Sequence, residues 1–215
     1  MCILYDKETG TIIKWSTVIQ AWIADEDWVE GKDTFPGYEA PILTPDWSRK
    51  TRRLVKAQWG FTPHWADSPN WGRKNAFNAR SETLFEKRTW REAIKTRRCV
   101  IPGTAFCERA DGRWIRFKPT QDDLFTFAGL YEPPNRLVSL PTYAMLTTEP
   151  NAAVLDSNDR MPVVLAPADV DAWLAEGTSE QDLRALMIPC PSEWFQKEDA
   201  GPIRKPKADP EPTLF

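Results

Sequence analysis

The residue with the most distinctive potential chemistry is Cys2, which directly follows Met1. If Met1 is removed, Cys2 presents an α-amine and a thiol on adjacent carbons. Such a 1,2-aminothiol condenses with an aldehyde, because the amine forms an imine and the thiol then closes a five-membered thiazolidine ring. The ordinary pKa is about 7.7–8.0 for the amine and about 8.5 for the thiol, so both are close to their reactive forms at neutral pH. The competing interpretation is that position 2 only has to be small so that Met1 can be trimmed.

The other cysteines and the single histidine do not form a metal-binding pattern. Cys99, Cys107 and Cys190 are widely spaced, no Cys-x-x-Cys pair is present, and His64 is the only histidine. A structural zinc site needs four such ligands, two of them usually at short spacing. We therefore expect reduced and mostly buried thiols, with no metal site, as in a cytosolic protein.

The basic residues are concentrated in the middle of the chain. From Arg49 to Lys118 there are 18 Lys/Arg and 6 Asp/Glu, whereas the remainder holds 10 and 25, and the whole chain has a net charge of -3. A basic segment within an acidic protein favours a local site for a polyanion. A solvated charged surface is the alternative. No apolar run approaches the roughly 20 residues of a membrane span and no signal peptide is evident, so we expect a cytoplasmic protein.

The 215 residues suffice for one large domain with a sizeable core. Strands are predicted at residues 3–5, 11–13, 53–58, 77–80, 99–101, 106–108, 114–117, 124–131, 143–147 and 162–165. Helices are predicted at residues 16–28, 83–95, 167–174 and 180–187. Residues 35–41 are predicted to form an extended loop. This order predicts an α+β fold, a single domain with a mixed, mostly antiparallel (barrel-like) β-sheet core and peripheral helices.

The domain is expected to span residues 1–197, followed by a disordered tail at residues 198–215. The tail sequence, EDAGPIRKPKADPEPTLF, is rich in proline and charge and has almost nothing to bury before Leu214 and Phe215.

Several short segments occur in an order that is typical of one protein family. They are Ala40-Pro41, Trp59-Gly60-Phe61, Asn78-Ala79-Arg80-Ser81-Glu82-Thr83, Arg98-Cys99-Val100-Ile101-Pro102, Phe106-Cys107-Glu108, Phe127-Ala128-Gly129-Leu130 and Asn158-Asp159-Arg160-Met161-Pro162. With Cys2 before them, the chain resembles the SOS-response-associated peptidase (SRAP) family from residue 2 to about residue 174. The resemblance implies a covalent sensor of abasic sites in single-stranded DNA, in which Cys2 captures the abasic aldehyde as a thiazolidine. The peptidase name of the family fits removal of Met1 by the protein itself, although a general aminopeptidase could equally remove it. No metal or organic cofactor is needed.

The resemblance assigns roles to particular side chains, and each has a structural alternative. Glu108 is the expected acid and base, and the alternative is a strand glutamate that faces solvent. Asn78 is the expected stabiliser of the bound sugar, and the alternative is an asparagine that bonds the backbone. Arg80 and Arg160 are expected to bind DNA phosphates, against structural ion pairs. Trp65 is expected to stack on a base, against a role in the core.

The chain also departs from the family pattern. Asn158 stands where the family usually has a histidine that moves protons, and an amide does not titrate near neutral pH. We therefore expect the adduct to form but to reverse slowly, with weak lyase activity. His64 could supply the missing proton carrier, although a loop histidine is usually just solvated. The chain starts with Cys2-Ile3-Leu4 where the family has Cys-Gly-Arg, so a positive charge near Cys2 is lost. Arg109 follows Glu108 where the family commonly has tryptophan. Its positive charge could replace the one that is lost.

Two other functions remain open at this point. One is a non-catalytic module that binds single-stranded DNA, and the other is an N-terminal-nucleophile peptidase or amidohydrolase whose Cys2 attacks an amide. The expected partner is single-stranded DNA that contains abasic sites, so a cytoplasmic monomer would join the nucleoid when bound. The terminal Leu214-Phe215 faintly resembles peptides that bind sliding clamps, and a frayed tail is the alternative.

Overall fold

Two β-sheets form the body of the protein in the computed structural model, which describes residues 2–18, 21–23, 33–121 and 123–201. The strands are β1 Leu4–Asp6, β2 Trp22–Ile23, β3 Asp33–Thr34, β4 Glu39–Asp46, β5 Thr51–Trp59, β6 Asn78–Arg80, β7 Arg98–Gly103, β8 Ala105–Ala110, β9 Arg113–Pro119, β10 Phe125–Glu132, β11 Thr142–Thr148, β12 Met161–Pro162, β13 Val164–Leu165 and β14 Phe195–Gly201. The α-helices are short and peripheral: α1 Thr9–Val18, α2 Trp71–Asn75, α3 Ala93–Thr96, α4 Val170–Leu174 and α5 Glu180–Leu186.

The first sheet has five strands in the order β14-β9-β8-β1-β3, and every neighbouring pair is antiparallel. The second has nine strands and follows the order β12-β11-β10-β7-β4-β5-β2, with β13 paired to β10 and β6 to β11. Its pairings of β5 and β6 with β11, and of β2 with β5, are parallel. This arrangement confirms the predicted α+β fold with mixed, mostly antiparallel sheets and few helices.

Phenylalanine side chains join the two sheets. Phe106 of β8 stacks on Phe117 of β9 with ring centroids 4.8 Å apart, and Phe195 of β14 packs edge-on against Phe106 at 5.5 Å. From the other sheet, Phe125 and Phe127 of β10 reach the same cluster. All five side chains are buried, so the apolar area that they remove from water fixes the position of one sheet relative to the other.

Two of the predictions for residues 11–28 were wrong, the strand at residues 11–13 and the helix at residues 22–23, whereas residues 16–18 are helical as predicted. Residues 11–13 lie inside helix α1, where the N–H of Ile12 bonds the Glu8 carbonyl at 3.0 Å, and residues 22–23 form a strand. Ile12 and Ser16 are buried four residues apart, as on one helix face. Short apolar runs do not distinguish a strand from a helix by periodicity alone. Residues 19–20 and 24–28 lie outside the described residues.

The predicted helix at residues 83–95 was also mostly wrong, because only Ala93–Thr96 is α-helical. The apolar positions Leu84, Trp90 and Ile94 are nevertheless buried. The N–H groups of Lys87 and Ile94 bond carbonyls four residues earlier, but such bonds do not run consecutively through the segment. A series of turns can therefore bury the same positions as a helix.

Two segments that form strands in the structure were not predicted as strands. The predicted loop at residues 35–41 enters β4 at Glu39, and Pro41 pairs with β5 although proline has no N–H to donate. Glu198 and the residues up to Gly201, which we expected in the disordered tail, continue strand β14 along β9. Their polar side chains suit an exposed edge strand and gave no hydrophobic signal.

The rest of the expected tail, including Leu214-Phe215, lies outside the described residues. Of the helices that the structure describes, none combines the length and the apolar character needed to cross a bilayer.

Arg98 ties two helices to the sheet from a fully buried position. Its guanidinium donates to the backbone carbonyls of Ile94 at 2.7 Å, Lys95 at 2.8 Å and Trp173 at 2.6 Å, and also to that of Ala175. These carbonyls lie at the ends of α3 and α4, where helices leave acceptors without partners. The planar fork of arginine satisfies several of them at once.

We expect Arg98→Lys to lower the free energy of unfolding by about 3 kcal/mol, because a single ammonium leaves some of these buried carbonyls without donors. Urea unfolding followed by circular dichroism measures the loss. Arg91→Lys is the matched control, since Arg91 is exposed and should change stability by less than about 0.5 kcal/mol. Equal losses in the two variants would contradict this role of Arg98.

Candidate functional site

Cys2 lies at the start of the five-stranded sheet with its side chain fully buried. It enters strand β1, whose Leu4 pairs with Cys107 of β8, and its Sγ donates to the Leu4 carbonyl at 3.5 Å. Burial raises the pKa of the Cys2 thiol well above its ordinary value, and the negative charge of Glu108 raises it further. The thiol is therefore held in its neutral form.

Asn78 fixes the backbone of Cys2 from the other sheet. It begins strand β6, which runs parallel to β11 with Asn78 level with Met145. The Nδ2 atom of Asn78 donates to the Cys2 carbonyl at 2.6 Å. The Oδ1 atom of Asn78 is buried and accepts no hydrogen bond from any described residue. This side chain thus holds Cys2 with one atom and keeps a buried acceptor available for a ligand hydroxyl.

Glu108 is a buried carboxyl on β8, with only 2% of its surface exposed. Burial raises the pKa of Glu108 to about 7, and nearby Asp159 acts in the same direction. The positive charge of the N-terminal amine opposes this shift, and so does the amide of Asn158, because its Nδ2 donates to Glu108 Oε2 at 2.6 Å and favours the carboxylate. A carboxyl poised near neutral pH can both give and accept protons.

Asn158 reaches Glu108 from the connection between β11 and β12. Its backbone N–H bonds the Val154 carbonyl at 3.0 Å, and its Oδ1 accepts the N–H of Arg160 at 3.2 Å. Both ends of the amide are therefore engaged. The four side chains predicted to carry the chemistry, Cys2, Asn78, Glu108 and Asn158, lie where the two sheets meet.

Arg160 is engaged in an ion pair. It forms a two-pronged contact with Glu82, one prong of which measures 2.9 Å, and it also donates to the Thr147 carbonyl at 2.6 Å. The hydrogen bond from Arg160 lowers the pKa of Glu82. This geometry favours the structural alternative for Arg160, and its contact with DNA stays a prediction.

Arg80 and Arg109 are the exposed cations next to the site. Arg80 lies two residues after Asn78 on β6, and Arg109 follows Glu108 on β8, level with Trp114 of β9. Neither guanidinium makes a hydrogen bond or ion pair with the residues that the structure describes. Their charge is therefore available to a polyanion.

Trp65 belongs to an exposed aromatic and basic cluster. It is half-buried, and its ring packs edge-on against Trp71 at a centroid distance of 5.0 Å. The Arg88 guanidinium lies 4.9 Å above the Trp65 ring. Trp71 and Arg88 were not predicted as functional residues, and no local motif marks them, because only the folded chain brings them to Trp65.

His64, the neighbour of Trp65, faces a different carboxyl from the one at the site. Its Nδ1 lies 3.7 Å from Glu132 Oε1, and Arg97 approaches the same carboxylate at 3.1 Å. A role for His64 in place of a histidine at position 158 stays a prediction.

The site is separate from a cavity of about 570 Å³ whose lining includes Trp15, Phe125 and Trp194. Neither Cys2 nor Glu108 lines that cavity. Within the described residues, no group of three or more His, Cys, Asp and Glu side chains is placed to hold a metal ion.

Glu108→Gln should make the protein more stable at alkaline pH. The folded protein holds the Glu108 proton more tightly than the unfolded chain, whose pKa is near 4.5, so this stabilisation is fully present below pH 4.5 and is lost as the pH rises through about 7. The variant should therefore gain up to roughly 3 kcal/mol over the wild type at pH 8 and little at pH 5.

Denaturant unfolding between pH 5 and pH 8 measures this difference. Glu82→Gln is the matched control, because the pKa of Glu82 is lowered and its removal should cost stability at neutral pH. A gain at Glu108 that does not change with pH would contradict a buried carboxyl with a raised pKa.

Comparison with known proteins identifies the family of the chain. The family described as SOS response associated peptidase (SRAP) matches residues 5–201 of the chain. The abasic site processing protein YoqW of Bacillus subtilis (strain 168) is 37% identical over 184 residues, which cover 80% of this chain and 81% of YoqW. The abasic site processing protein HMCES of Xenopus tropicalis is 28% identical over 176 residues, which cover 66% of this chain and 52% of HMCES. A crystal structure from Bacteroides thetaiotaomicron shares the fold, with a TM-score of 0.81, 22% identity and coverage of 92% of this chain and 91% of that chain. The chain is a member of the SRAP family, as its motifs predicted.

Proposed function

We propose that this protein captures abasic sites in single-stranded DNA through a covalent bond to Cys2. The observation that carries the proposal is the placement of Cys2 between Asn78, which bonds its carbonyl at 2.6 Å, and the buried Glu108. The similarity to YoqW and HMCES, which are named abasic site processing proteins, supports the same substrate. An abasic site in its open form is an aldehyde, the group with which a 1,2-aminothiol reacts.

The reaction proceeds in two steps once Met1 has been removed. The Cys2 amine attacks the aldehyde carbon, and loss of water gives an imine. The thiol then adds to the imine carbon, its proton passes to the nitrogen, and the thiazolidine ring closes with a net loss of one water. Since the thiol is neutral, the amine is the first nucleophile and Glu108 is the group that protonates the departing hydroxyl.

The remaining residues hold the DNA. The buried Oδ1 of Asn78 accepts a hydroxyl of the opened sugar, and the exposed Arg80 and Arg109 bind phosphates on either side. Trp65 and Trp71 offer ring faces on which a base can stack without sequence preference, which contributes about 1–3 kcal/mol per base. Removal of Met1 by the protein itself would be a separate hydrolysis, in which water cleaves the Met1–Cys2 amide and methionine is released. Weak strand cleavage would proceed from the imine, by loss of a proton from the sugar and elimination of the 3′ phosphate.

The second candidate function is non-covalent binding of single-stranded DNA. It is favoured by the cluster of Trp65, Trp71 and Arg88, which would bind undamaged strands as well.

A denaturing gel distinguishes these two functions. Protein shown by mass spectrometry to lack Met1 is mixed with single-stranded DNA that carries one abasic site. We expect a shifted band that is absent with Cys2→Ala, unchanged with Cys107→Ala and absent on undamaged DNA. Cys107 is the matched control because its thiol is also buried and because it directly precedes Glu108 in the sequence. Binding that salt weakens, without any covalent band, would establish the second function instead.

Asn158→His should accelerate release of the adduct. An imidazole at this position could return a proton to the ring, whereas the amide of Asn158 can only donate to Glu108. General acid–base catalysis commonly contributes a factor of about 100 or more, so an increase of at least about tenfold in the release rate is expected.

Release is measured by adding an excess of unlabelled abasic DNA to the preformed adduct and following the loss of label. Asn158→Gln is the control, since it keeps an amide and should not accelerate release. An unchanged release rate in Asn158→His would refute the role assigned to this position.

A further inference from the structure

The segment that delivers Asn158 to Glu108, residues 151–158, is a double turn outside the sheet. The chain leaves β11 at Thr148, returns at Met161 of β12, and these two residues pair. Between them, the N–H of Leu155 bonds the Asn151 carbonyl at 3.0 Å and the N–H of Asn158 bonds the Val154 carbonyl at 3.0 Å. The position of Asn158 is thus set by a turn that begins at Asn151.

Asn151 organises the start of this turn with its own side chain. Its Oδ1 accepts the N–H groups of Ala153 at 3.1 Å and Val154 at 3.3 Å, in the manner of a helix cap. Its Nδ2 donates to the Cys190 carbonyl at 2.8 Å, and its backbone N–H points to the sulfur of Met161 at 3.2 Å. The turn is therefore tied both to β12 and to the segment that follows α5.

The side chain of Val154 is buried in the hydrophobic core and also holds the turn. The second polar tie to the turn is weaker than that of Asn151. Lys197 of β14 contacts Asp156 at 3.1 Å, but 38% of the lysine and 72% of the aspartate side chain are exposed. Exposed ion pairs contribute little to a fixed geometry. Asn151 is half-buried and Cys190 is buried, so the asparagine is the stronger constraint.

We infer that Asn151 is a positioning residue for the reaction: it fixes the turn so that the Asn158 amide points at Glu108 Oε2. It acts through Asn158 and touches no reacting atom. The inference goes beyond the proposed function and rests on it only for the rate measurement below. Its own prediction is that loss of Asn151 has the same effect on Glu108 as loss of Asn158.

The titration of Glu108 gives the first measurement, which needs no DNA. Because the Asn158 hydrogen bond lowers the pKa of Glu108, Asn158→Ala should move its titration midpoint upward. Asn151→Ala should move the midpoint upward by a similar amount, and the double variant should move no further than Asn158→Ala alone. The carboxyl carbon signal in NMR, assigned by its absence in Glu108→Gln, reports the midpoint. The N-terminal amine, Cys2 and Asp159, which also act on Glu108 or on its neighbourhood, are unchanged in all these variants.

The second measurement is the pH dependence of adduct formation in the same variants. Its midpoint should follow the NMR midpoint in each variant. A covalent band missing from the wild type would refute the proposed function and leave the NMR test of Asn151 intact.

Two further variants separate positioning from general stability. Asn151→Asp keeps the oxygen that caps the turn but loses the donor to Cys190, so its midpoint should lie between those of the wild type and Asn151→Ala. Lys197→Ala removes the exposed ion pair of the same turn and should leave the midpoint unchanged. The inference is overturned if Asn151→Ala lowers the melting temperature without moving the Glu108 midpoint, or if the shifts add in the double variant.

Discussion

The hydrogen bond from Asn78 to the Cys2 carbonyl joins the two sheets at the point where the chemistry is placed. Cys2 and Glu108 belong to the five-stranded sheet, and Asn78 and Asn158 are supplied by the nine-stranded sheet and its connections. Neither sheet has a complete site. The geometry therefore depends on how the sheets pack, and the phenylalanine cluster around Phe106 is as much a condition of the site as the polar residues are.

Burial raises the pKa of both the Cys2 thiol and the Glu108 carboxyl. It keeps the Cys2 thiol protonated, and it keeps Glu108 close to half-protonated at neutral pH. Both effects destabilise the charged forms, which the folded protein tolerates because the surrounding packing is extensive. The amide of Asn158 limits the effect at Glu108 by donating to its carboxylate. A residue on a turn therefore contributes to the pKa of this carboxyl, which makes the anchoring of that turn relevant to the proposed chemistry.

The sequence allowed the prediction of the central residues but not of their surroundings. Cys2, Asn78 and Glu108 were identified because the order of short motifs is characteristic of the family, and the structure brings them together. The ion pair of Arg160 with Glu82 was one of two alternatives, and only side-chain geometry distinguishes them. Trp71 and Arg88 could not be predicted, because their contact with Trp65 depends on tertiary packing.

The secondary structure was likewise predicted well in some parts of the chain and poorly in others. The strands from β7 to β11 have continuous apolar or alternating patterns and were predicted close to their observed bounds. Helix α1 and the turns at residues 83–92 were not, since their short apolar spacings are compatible with more than one local structure. The whole of strand β14 was missed, because an edge strand can be polar and still pair its backbone with the one neighbouring strand.

The fully buried, neutral state of the Cys2 thiol has a consequence for its resistance to oxidation. Peroxides attack the thiolate far faster than the thiol, and they need access to the sulfur. A cysteine whose thiol is protonated and whose sulfur is inaccessible is oxidised slowly to sulfenic acid. The burial that makes the amine the first nucleophile in the proposed mechanism would thus also preserve the sulfur in its reduced form under oxidising conditions.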